Sequence, residues 1–170
     1  MEEGKKVTKR TDYLAWADYF MGISILSAQR SKDPNTQVGA CIVKNNKIVG
    51  IGYNGFPIGC SDDELPWARE AANANDTKYP YVVHAEVNAV LNSTVDLHGA
   101  SIYIALFPCN ECAKILIQAG VKEVVYLSDK YAATDSVKAS KRMLGMAGVK
   151  HSQLSPKNKQ LLIEFTTPQG

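Results

Sequence analysis

Apolar residues between positions 12 and 28 recur every three or four positions, a spacing that predicts an amphipathic helix. These apolar positions are Tyr13, Trp16, Phe20, Ile23 and Leu26. Asp12 precedes them, and aspartate is a preferred residue at helix N-termini. The helix should end in SKDPN, because Pro34 disfavours helical geometry in Asp33. Residues 1–11 are mostly polar and predict a flexible N-terminal arm.

Two apolar segments after this helix predict a β-hairpin. QVGACIV, residues 37–43, and KIVGIGY, residues 47–53, have the composition of strands. Asn45 and Asn46 separate them, and asparagine tolerates the positive φ of a tight turn. The next segment, NGFPIGCSDDELP at residues 54–66, has no periodicity. It predicts a long loop, which in a compact domain is usually functional or mobile.

Helical and strand patterns alternate in the rest of the chain. Helices are predicted at residues 84–92, 109–120 and 134–148, and strands at residues 101–107, 121–128 and, near LLIEF, 161–165. Gly120 and Gly148 suit the ends of the last two helices, and Thr134 or Asp135 caps the third. This order predicts a single α/β domain over residues 12–170. We expect a mixed sheet with an antiparallel edge pair, helices on its faces, and parallel strands where a helix connects them.

The composition is that of an ordered globular protein, with 45% hydrophobic and 21% charged residues. No apolar run is long enough to span a bilayer. The segment MEEGKKVTKR lacks the apolar stretch of a signal peptide, so a cytoplasmic location is expected. The net charge is only +2, without the dense basic face typical of nucleic-acid binding. Neither a membrane nor a nucleic acid is therefore expected as a partner.

Two short motifs contain candidate metal ligands. His84 begins HAE, and Cys109 and Cys112 lie in PCNEC. Zinc binds imidazole and thiolate well, and a CxxC in the first turn of a helix lets both sulfurs reach one ion. Three protein ligands leave a position for water, as in catalytic zinc sites, whereas structural sites have four.

The other two cysteines are candidate fourth ligands. Cys41 lies inside a predicted strand among apolar neighbours, which favours a buried small hydrophobic residue. Cys60 lies in the long loop, where it could close the site, bind a different metal or be free.

Glu86 lies two residues after His84 at the start of a predicted helix. Its side chain therefore points in a different direction from that of the histidine and is poorly placed to bind the same ion. Beside an open metal position it can take a proton from a zinc-bound water and pass it to a leaving or ring nitrogen. The alternative is a carboxylate that is merely favoured by the helix dipole. The combination H-x-E and P-C-x-x-C is the signature of zinc deaminases, which favours the proton-transfer role.

The sequence resembles the zinc-dependent cytidine deaminase-like superfamily and, within it, the deoxycytidylate (dCMP) deaminases. The matching stretches are LSAQRSKDPNTQVGACIV, IVGIGYNGFPIGCSDDELPW, DTKYPYVVHAEVNAV, ALFPCNECAKILIQAG and VVYLSDKY. The resemblance implies a three-layer α/β/α fold with a mixed five-stranded sheet. It also implies hydrolysis of dCMP to dUMP and ammonia, which supplies dUMP for thymidylate synthesis in pyrimidine metabolism. His84, Cys109 and Cys112 match the ligands of a catalytic Zn2+, whose hydroxide would attack C4 while Glu86 protonates N3 and then the departing amine.

The same resemblance implies a set of substrate-binding residues. Asn35 matches an asparagine that contacts the sugar in related deaminases. The backbone of Val38, Gly39 and Ala85 is expected to line the base pocket. Phe107 could pack near the base, although a phenylalanine at the end of a strand is more often part of the core.

The 5′-phosphate of a nucleotide requires cations or amide donors. Arg30 follows the first helix and can make a bidentate contact. Lys130 and Tyr131 follow the C-terminal end of a strand, where ligands of such sheets collect. All three are candidates, and an ordinary surface position is the alternative for each.

The long loop is expected to have a regulatory role, because in dCMP deaminases this region is associated with activation by dCTP and inhibition by dTTP, usually with Mg2+. The candidate residues are Asn54, Gly55, Asp62 and Asp63, and glycine lets backbone amides approach phosphates closely. A plain surface loop is the alternative. The resemblance further implies a homohexamer.

Two other functions are compatible with the zinc motifs. One is a deaminase of cytosine or adenine in nucleic acid, which the low net charge disfavours. The other is a zinc-stabilised binding protein without catalysis, which Glu86 disfavours because a closed structural site does not require a carboxylate there.

Overall fold

The computed structural model describes residues 7–166, and they form a mixed five-stranded sheet with helices on both faces. The elements are α1 (Trp16–Ala28), β1 (Gly39–Lys44), β2 (Lys47–Tyr53), a 3-10 helix (Ala74–Asp76), α2 (Ala85–Leu91), β3 (Ser101–Leu106), α3 (Asn110–Gln118), β4 (Glu123–Ser128), α4 (Asp135–Met146) and β5 (Lys150–Gln153). The strand order is β2-β1-β3-β4-β5. β1 is antiparallel to β2 and to β3, whereas β3, β4 and β5 are parallel. The predicted α/β class, edge hairpin and parallel helix-linked strands are therefore confirmed.

Alternate residues of β1 enter two separate cores, which gives the fold its three layers. Cys41 and Val43 pack with Phe20 of α1 on one face of the sheet. Ala40 and Ile42 belong to the larger core on the other face. That core also contains buried residues of the remaining three helices, namely Ala85 and Ala89 of α2, Ala113 and Leu116 of α3, and Val137 and Leu144 of α4. The predicted α/β/α arrangement is confirmed.

Gly39 allows α1 to lie directly on the start of β1. A Cβ atom at Gly39 would be only 1.9 Å from the backbone oxygen of Ser24. The Ser24 hydroxyl also donates a hydrogen bond of 2.7 Å to the Gly39 carbonyl oxygen. The helix is therefore held against the strand at a distance that no larger residue permits.

Local turn chemistry is as the sequence predicts at three points. Asn45 and Asn46 have φ values of 52° and 58°, as a tight hairpin turn requires. Thr134 caps α4, because its hydroxyl oxygen accepts a hydrogen bond from the Val137 amide. Gly120 follows α3 with a φ of 79°.

The predicted start of the first helix is wrong. α1 begins at Trp16, and Ala15 is its N-cap without a side-chain hydrogen bond. Asp12 instead accepts a hydrogen bond of 2.8 Å from the Arg10 side chain. Tyr13 is exposed, so it buries little apolar surface that could stabilise a further turn at the start of the helix.

The predicted final strand is also wrong. Residues 161–165 form no strand, and β5 is instead Lys150–Gln153. All four β5 residues are exposed, so the strand is held at the edge of the sheet by backbone pairing with β4 and has no apolar pattern to reveal it. Leu161 and Ile163 of the C-terminal segment lie near α1, where Leu161 approaches Gly22.

The loop after β2 is longer than predicted and runs from Asn54 to Val83, interrupted by the 3-10 helix. Its two ends meet, because Gly55 and Val83 exchange backbone hydrogen bonds of 3.1 and 2.8 Å. Residues 7–15 before α1 form no helix or strand, and the first six residues of the predicted arm lie outside the described range. Within residues 7–166, every helix is too short or too polar to cross a membrane.

Candidate active site

The three predicted metal ligands meet where α2 and α3 begin. His84 is the N-cap residue of α2, and Cys109 is the N-cap residue of α3. Cys112 lies in the first turn of α3 and is completely buried. Helix N-termini carry partial positive charge, which favours the thiolate form of both sulfurs.

The separations among the three donors fit one zinc ion. His84 Nδ1 lies 3.3 Å from Cys112 Sγ and 3.5 Å from Cys109 Sγ. Ligand atoms at about 2.0 Å for nitrogen and about 2.3 Å for sulfur around a tetrahedral ion would be about 3.5 Å apart. All three donor atoms lie within 4.8 Å of one another. Their geometry and their chemistry therefore both suit Zn2+, with Nδ1 as the ligand atom of the histidine.

Ionisation within the cluster supports the same interpretation. The hydrogen bond from Cys112, together with that from His84, lowers the pKa of Cys109 to about 4. The pKa of Cys112 is raised by its interaction with Cys109 and by burial. The hydrogen bond to Cys109 raises the pKa of His84 to about 8. A divalent cation would replace these protons and stabilise the same negative charge.

The two remaining cysteines lie away from this cluster. Cys41 is in the core beneath α1, on the opposite face of the sheet from α2, and burial raises the pKa of its thiol to about 12. Cys60 is exposed in the long loop. Among residues 7–166, His84, Cys109 and Cys112 form the one group of this kind that could hold a metal. Within residues 7–166 the structure thus brings together three candidate protein ligands and no fourth histidine, cysteine or carboxylate.

Glu86 lies in the first turn of α2 with only 6% of its surface exposed. Burial raises the pKa of its carboxyl group, and this outweighs the opposing effect of the nearby His84. A raised pKa suits a group that must both accept and donate a proton near neutral pH.

A cavity of about 330 Å³ opens beside the cluster. Its lining residues are Asp33, Thr36, Val38, Asn54, Arg69, Lys78, Tyr79, Val82, His84, Ala85, Glu86, Leu106, Phe107, Cys109 and Tyr131. The size falls within the range of small-molecule sites, and an apolar lining with a few convergent polar groups is typical of them. Two of the three candidate metal ligands, His84 and Cys109, therefore line a ligand-sized space together with Glu86, and the third, Cys112, is buried behind them.

The structure places some of the predicted substrate residues on this cavity. Val38, Ala85 and Tyr131 line it, as does Phe107, which is also buried in the core. Four other predicted residues are outside the lining, namely Arg30, Asn35, Gly39 and Lys130. Gly39 faces α1 instead, and Asn35 is exposed with its side-chain amide donating to the Trp67 carbonyl oxygen.

One of the four candidate regulatory residues lines the cavity, and the other three lie outside its lining. Asn54 lines the cavity and is buried. Its side-chain oxygen accepts a 2.9 Å hydrogen bond from the Val38 amide, and its side-chain nitrogen donates to the Thr36 carbonyl oxygen at 3.0 Å. Gly55, Asp62 and Asp63 lie outside the cavity lining, and Asp62 forms an ion pair with Lys32.

Several cavity residues were not predicted from the sequence, chiefly Asp33, Arg69, Lys78 and Tyr79. Lys78 and Tyr79 belong to DTKYPYVV, directly before HAE. A lysine and two tyrosines immediately before a metal ligand were the available signal, because the chain there must pass the metal site. Asp33 lies two residues before Asn35 in the matching stretch LSAQRSKDPNTQVGACIV, so its neighbourhood was a signal, whereas Arg69 lies just beyond the matching stretches and offered none.

Asp33 forms a buried network on the cavity wall. One carboxylate oxygen accepts from the amides of Asn35 at 2.8 Å and Thr36 at 3.2 Å. The other accepts from the Lys78 ammonium group and from the Asn54 side chain at 3.3 Å. Burial alone would raise the pKa of Asp33, but Lys78 and the two amides outweigh it and hold this pKa below its usual range.

Comparison with known proteins agrees with this geometry. Residues 14–128 match the family model described as the cytidine and deoxycytidylate deaminase zinc-binding region. The chain is 60% identical over 159 residues to a deoxycytidylate deaminase of Homo sapiens, covering 92% of this chain and 89% of that protein. It is 54% identical over 166 residues to a probable deoxycytidylate deaminase of Drosophila melanogaster, covering 94% and 82%.

A solved structure is also similar. The dCMP deaminase of cyanophage S-TIM5, in complex with dCMP and dUMP, aligns with a TM-score of 0.63 and 29% identity, covering 81% of this chain and 95% of that one. The matched family region includes the three candidate zinc ligands, Glu86 and most of the cavity wall. The chain therefore belongs to the cytidine and deoxycytidylate deaminase family.

Proposed function

We propose that this protein catalyses the hydrolytic deamination of dCMP to dUMP with release of ammonia. The observation that carries the proposal is the position of Glu86, buried on the wall of a ligand-sized cavity beside three zinc-type donors. The relatives named as deoxycytidylate deaminases, and the neighbour solved with dCMP and dUMP, support the choice of substrate.

The side chains of the cavity match the steps of this reaction. Zinc, when bound to His84, Cys109 and Cys112, supplies a Lewis acid that makes water acidic enough to attack at neutral pH. Glu86, whose pKa is raised by burial, accepts one proton of the attacking water and delivers it to the ring nitrogen N3. It then takes the second proton, from the hydroxyl group added at C4, and delivers it to the amine, which departs as ammonia. Val38 and Phe107 give the cavity apolar surface suited to a flat base and help to exclude other water.

The basic residues at the cavity support a monophosphate substrate. Arg69 is exposed, lines the cavity and donates from Nε to the Tyr79 hydroxyl at 3.4 Å. A guanidinium group with free N–H donors can bind a phosphate through two hydrogen bonds. Lys130 lies at the edge of the site, with its ammonium group 5.0 Å from the centre of the Tyr131 ring. We therefore infer that Arg69 is a stronger candidate for phosphate binding than Arg30.

The test is an ammonia-release assay on zinc-loaded protein with dCMP, CMP and deoxycytidine as substrates. We expect dCMP to be the preferred substrate, and Glu86→Gln to keep the fold and the zinc while losing about 10²-fold or more in kcat. No ammonia from any of the three substrates would overturn the proposal. Inhibition by single-stranded DNA in competition with dCMP would indicate a nucleic-acid deaminase instead.

Phosphate recognition is tested by two arginine variants. Arg69→Ala should raise KM for dCMP by about tenfold and leave deoxycytidine unaffected, because a charged hydrogen bond contributes roughly 1.5–3 kcal/mol. Arg30→Ala is the matched control, since Arg30 is exposed and lies outside the cavity lining. Equal losses with both substrates would exclude a phosphate contact by Arg69.

Regulation and assembly are part of the proposal. We infer activation by dCTP and inhibition by dTTP with Mg2+, and a homohexamer, from the family resemblance of the loop that contains Asp62 and Asp63. We also infer a cytoplasmic enzyme that supplies dUMP for thymidylate synthesis, which accords with a site that needs reduced thiols. Rates measured with each triphosphate and Mg2+, and sedimentation of the protein with and without them, test these inferences. If neither the rate nor the sedimenting mass changes when dCTP or dTTP is added with Mg2+, the inference of regulation by these nucleotides is wrong.

A further inference from the structure

The buried ion pair between Asp33 and Lys78 requires an explanation beyond stability. Their side chains are only 1% and 8% exposed, although both residues border the cavity. Removing two charges from water costs several kcal/mol, and apolar residues of similar volume often stabilise a fold as well or better. A buried pair of this kind is better suited to fix the relative position of the two segments that it joins than to stabilise the fold.

The pair joins two segments that are 45 residues apart in sequence. Asp33 belongs to the turn after α1, and its carboxylate also holds the amides of Asn35 and Thr36. Lys78 belongs to the long loop, six residues before the zinc ligand His84. The contact therefore joins the last part of the loop to the turn after α1 at the border of the cavity.

The backbone of Lys78 organises the chain on either side of it. Its amide donates to the Ala68 carbonyl oxygen at 2.9 Å, and its own carbonyl oxygen accepts from the amides of Tyr81 and Val82 at 3.0 Å each. These bonds form the turn that places Tyr79 and Val82 on the cavity and leads into the Gly55–Val83 bridge. The turn at Lys78 thus sets the path of the segment that contributes Lys78, Tyr79 and Val82 to the cavity.

Asn54, at the start of the loop, makes buried hydrogen bonds to the turn after α1. From residues 56–82, the other side-chain contacts to that turn are exposed among the described residues. Lys32 pairs with Asp62, with 65% and 33% of their side chains exposed. The Asn35 side chain reaches the Trp67 carbonyl oxygen at 3.3 Å, also at the surface. Exposed ion pairs contribute little, because water and salt screen them. Among these contacts, the Asp33–Lys78 pair therefore contributes most to holding residues 56–82 against the turn after α1.

We propose that the Asp33–Lys78 pair is a latch that positions residues 56–82 over the active-site cavity, so that Lys78 is a positioning residue for nucleotide binding. This inference rests on the proposed function for its kinetic part. The latch orders the loop before the substrate arrives, which lowers the entropic cost of binding. Its loss should therefore weaken substrate binding without removing zinc or the proton-transferring carboxylate.

The test compares three variants with the wild type. Lys78→Met should raise KM by about tenfold or more for dCMP and for deoxycytidine alike, leave zinc content unchanged and expose residues 56–82 to proteases. The double variant Asp33→Asn, Lys78→Met removes both charges, so it should recover the thermal midpoint of unfolding but not KM. Lys32→Met is the matched control, since it breaks an exposed tie of the same loop, and its KM should equal that of the wild type.

Each outcome decides for or against the latch. Recovery of both the thermal midpoint and KM in the double variant would show a purely structural pair and overturn the inference. A higher KM for dCMP alone would overturn it too, because Lys78 would then contact the phosphate directly. If Lys78→Met does not fold, the KM and the thermal midpoint of the double variant can still be compared with those of the wild type. If the wild type releases no ammonia, the proposed function fails, while the protease sensitivity of residues 56–82 still tests the latch.

Discussion

Gly52 lies in β2 at the point where α2 crosses the sheet. A Cβ atom at this position would lie 2.3 Å from the Ala85 carbonyl oxygen and 2.3 Å from the Ala89 amide nitrogen. Ordinary van der Waals contact begins at 3.4 Å, so in Gly52→Ala the Cβ atom would be 1.1 Å too close to each of these two atoms. Both neighbouring atoms are backbone, so relief of the overlap requires the whole helix to move.

A displaced α2 would carry part of the active site with it. His84 caps α2 and Glu86 lies in its first turn, whereas Cys109 and Cys112 belong to α3. A shift of about 1 Å would separate the imidazole from the two sulfurs and move the carboxylate from its place, and a misplacement of that size can cost about 10²-fold in rate. Overpacking should also destabilise the fold by about 1–3 kcal/mol.

The assay for Gly52→Ala is kcat for ammonia release from dCMP, with zinc per chain and the thermal midpoint measured in parallel. Gly145→Ala is the control, because a Cβ atom there meets nothing within 4 Å and the residue lies inside α4. That variant should gain up to about 1 kcal/mol of stability from helix propensity and keep full activity. Wild-type kcat and zinc content in Gly52→Ala would refute the idea that the contact between β2 and α2 sets the geometry of the site.

Three further results are expected. Cys109→Ser should lose its zinc, since a hydroxyl is a poor zinc ligand, and metal analysis showing one zinc per chain would contradict its role. The double variant Cys41→Ala, Cys60→Ala should retain one zinc per chain and full activity, because neither thiol lies near the donor cluster; loss of the metal would reveal a fourth ligand. Asp33→Asn should lower the thermal midpoint at pH 7, because it leaves Lys78 buried without a partner. Since the folded pKa of Asp33 is depressed, its contribution is complete above the unfolded pKa of about 3.9 and declines as the pH falls through the lower folded value. The midpoints of wild type and variant should therefore converge below about pH 4, and a constant difference down to pH 3 would contradict the ionised pair.

The elements that sequence patterns predicted well are those with strong local signals. The Asn45–Asn46 turn needs positive φ, and Gly120 ends α3 for the same reason. The two elements predicted wrongly had misleading or absent signals. Asp12 is a suitable cap but is satisfied by Arg10, and β5 is exposed on both faces, so its pairing depends on the neighbouring β4 rather than on its own residues.

The candidate site was predictable where its residues are close in sequence. The spacing within HAE and within PCNEC limits which side chains can reach one ion, so these two motifs are sufficient to indicate the donor set. The phosphate and regulatory residues lacked such spacing. Arg30 and Asn54 were assigned by type and neighbourhood, and the structure places the first at the exposed end of α1 and the second on the cavity wall.

The amino-acid sequence by itself determined the layered α/β class, the edge hairpin and the chemical character of the donor set, because each depends on periodicity or on residues a few positions apart. Only the tertiary structure decided which distant residues share the cavity. Asp33 lies in the turn after α1, Arg69 and Lys78 lie in a loop without periodicity, and the buried hydrogen bond between Lys78 and Asp33 joins the two segments. The close approach of α2 to β2 fixes the helix that carries Glu86 on the same cavity. Such contacts arise from the packing of whole elements, which no short stretch of sequence encodes.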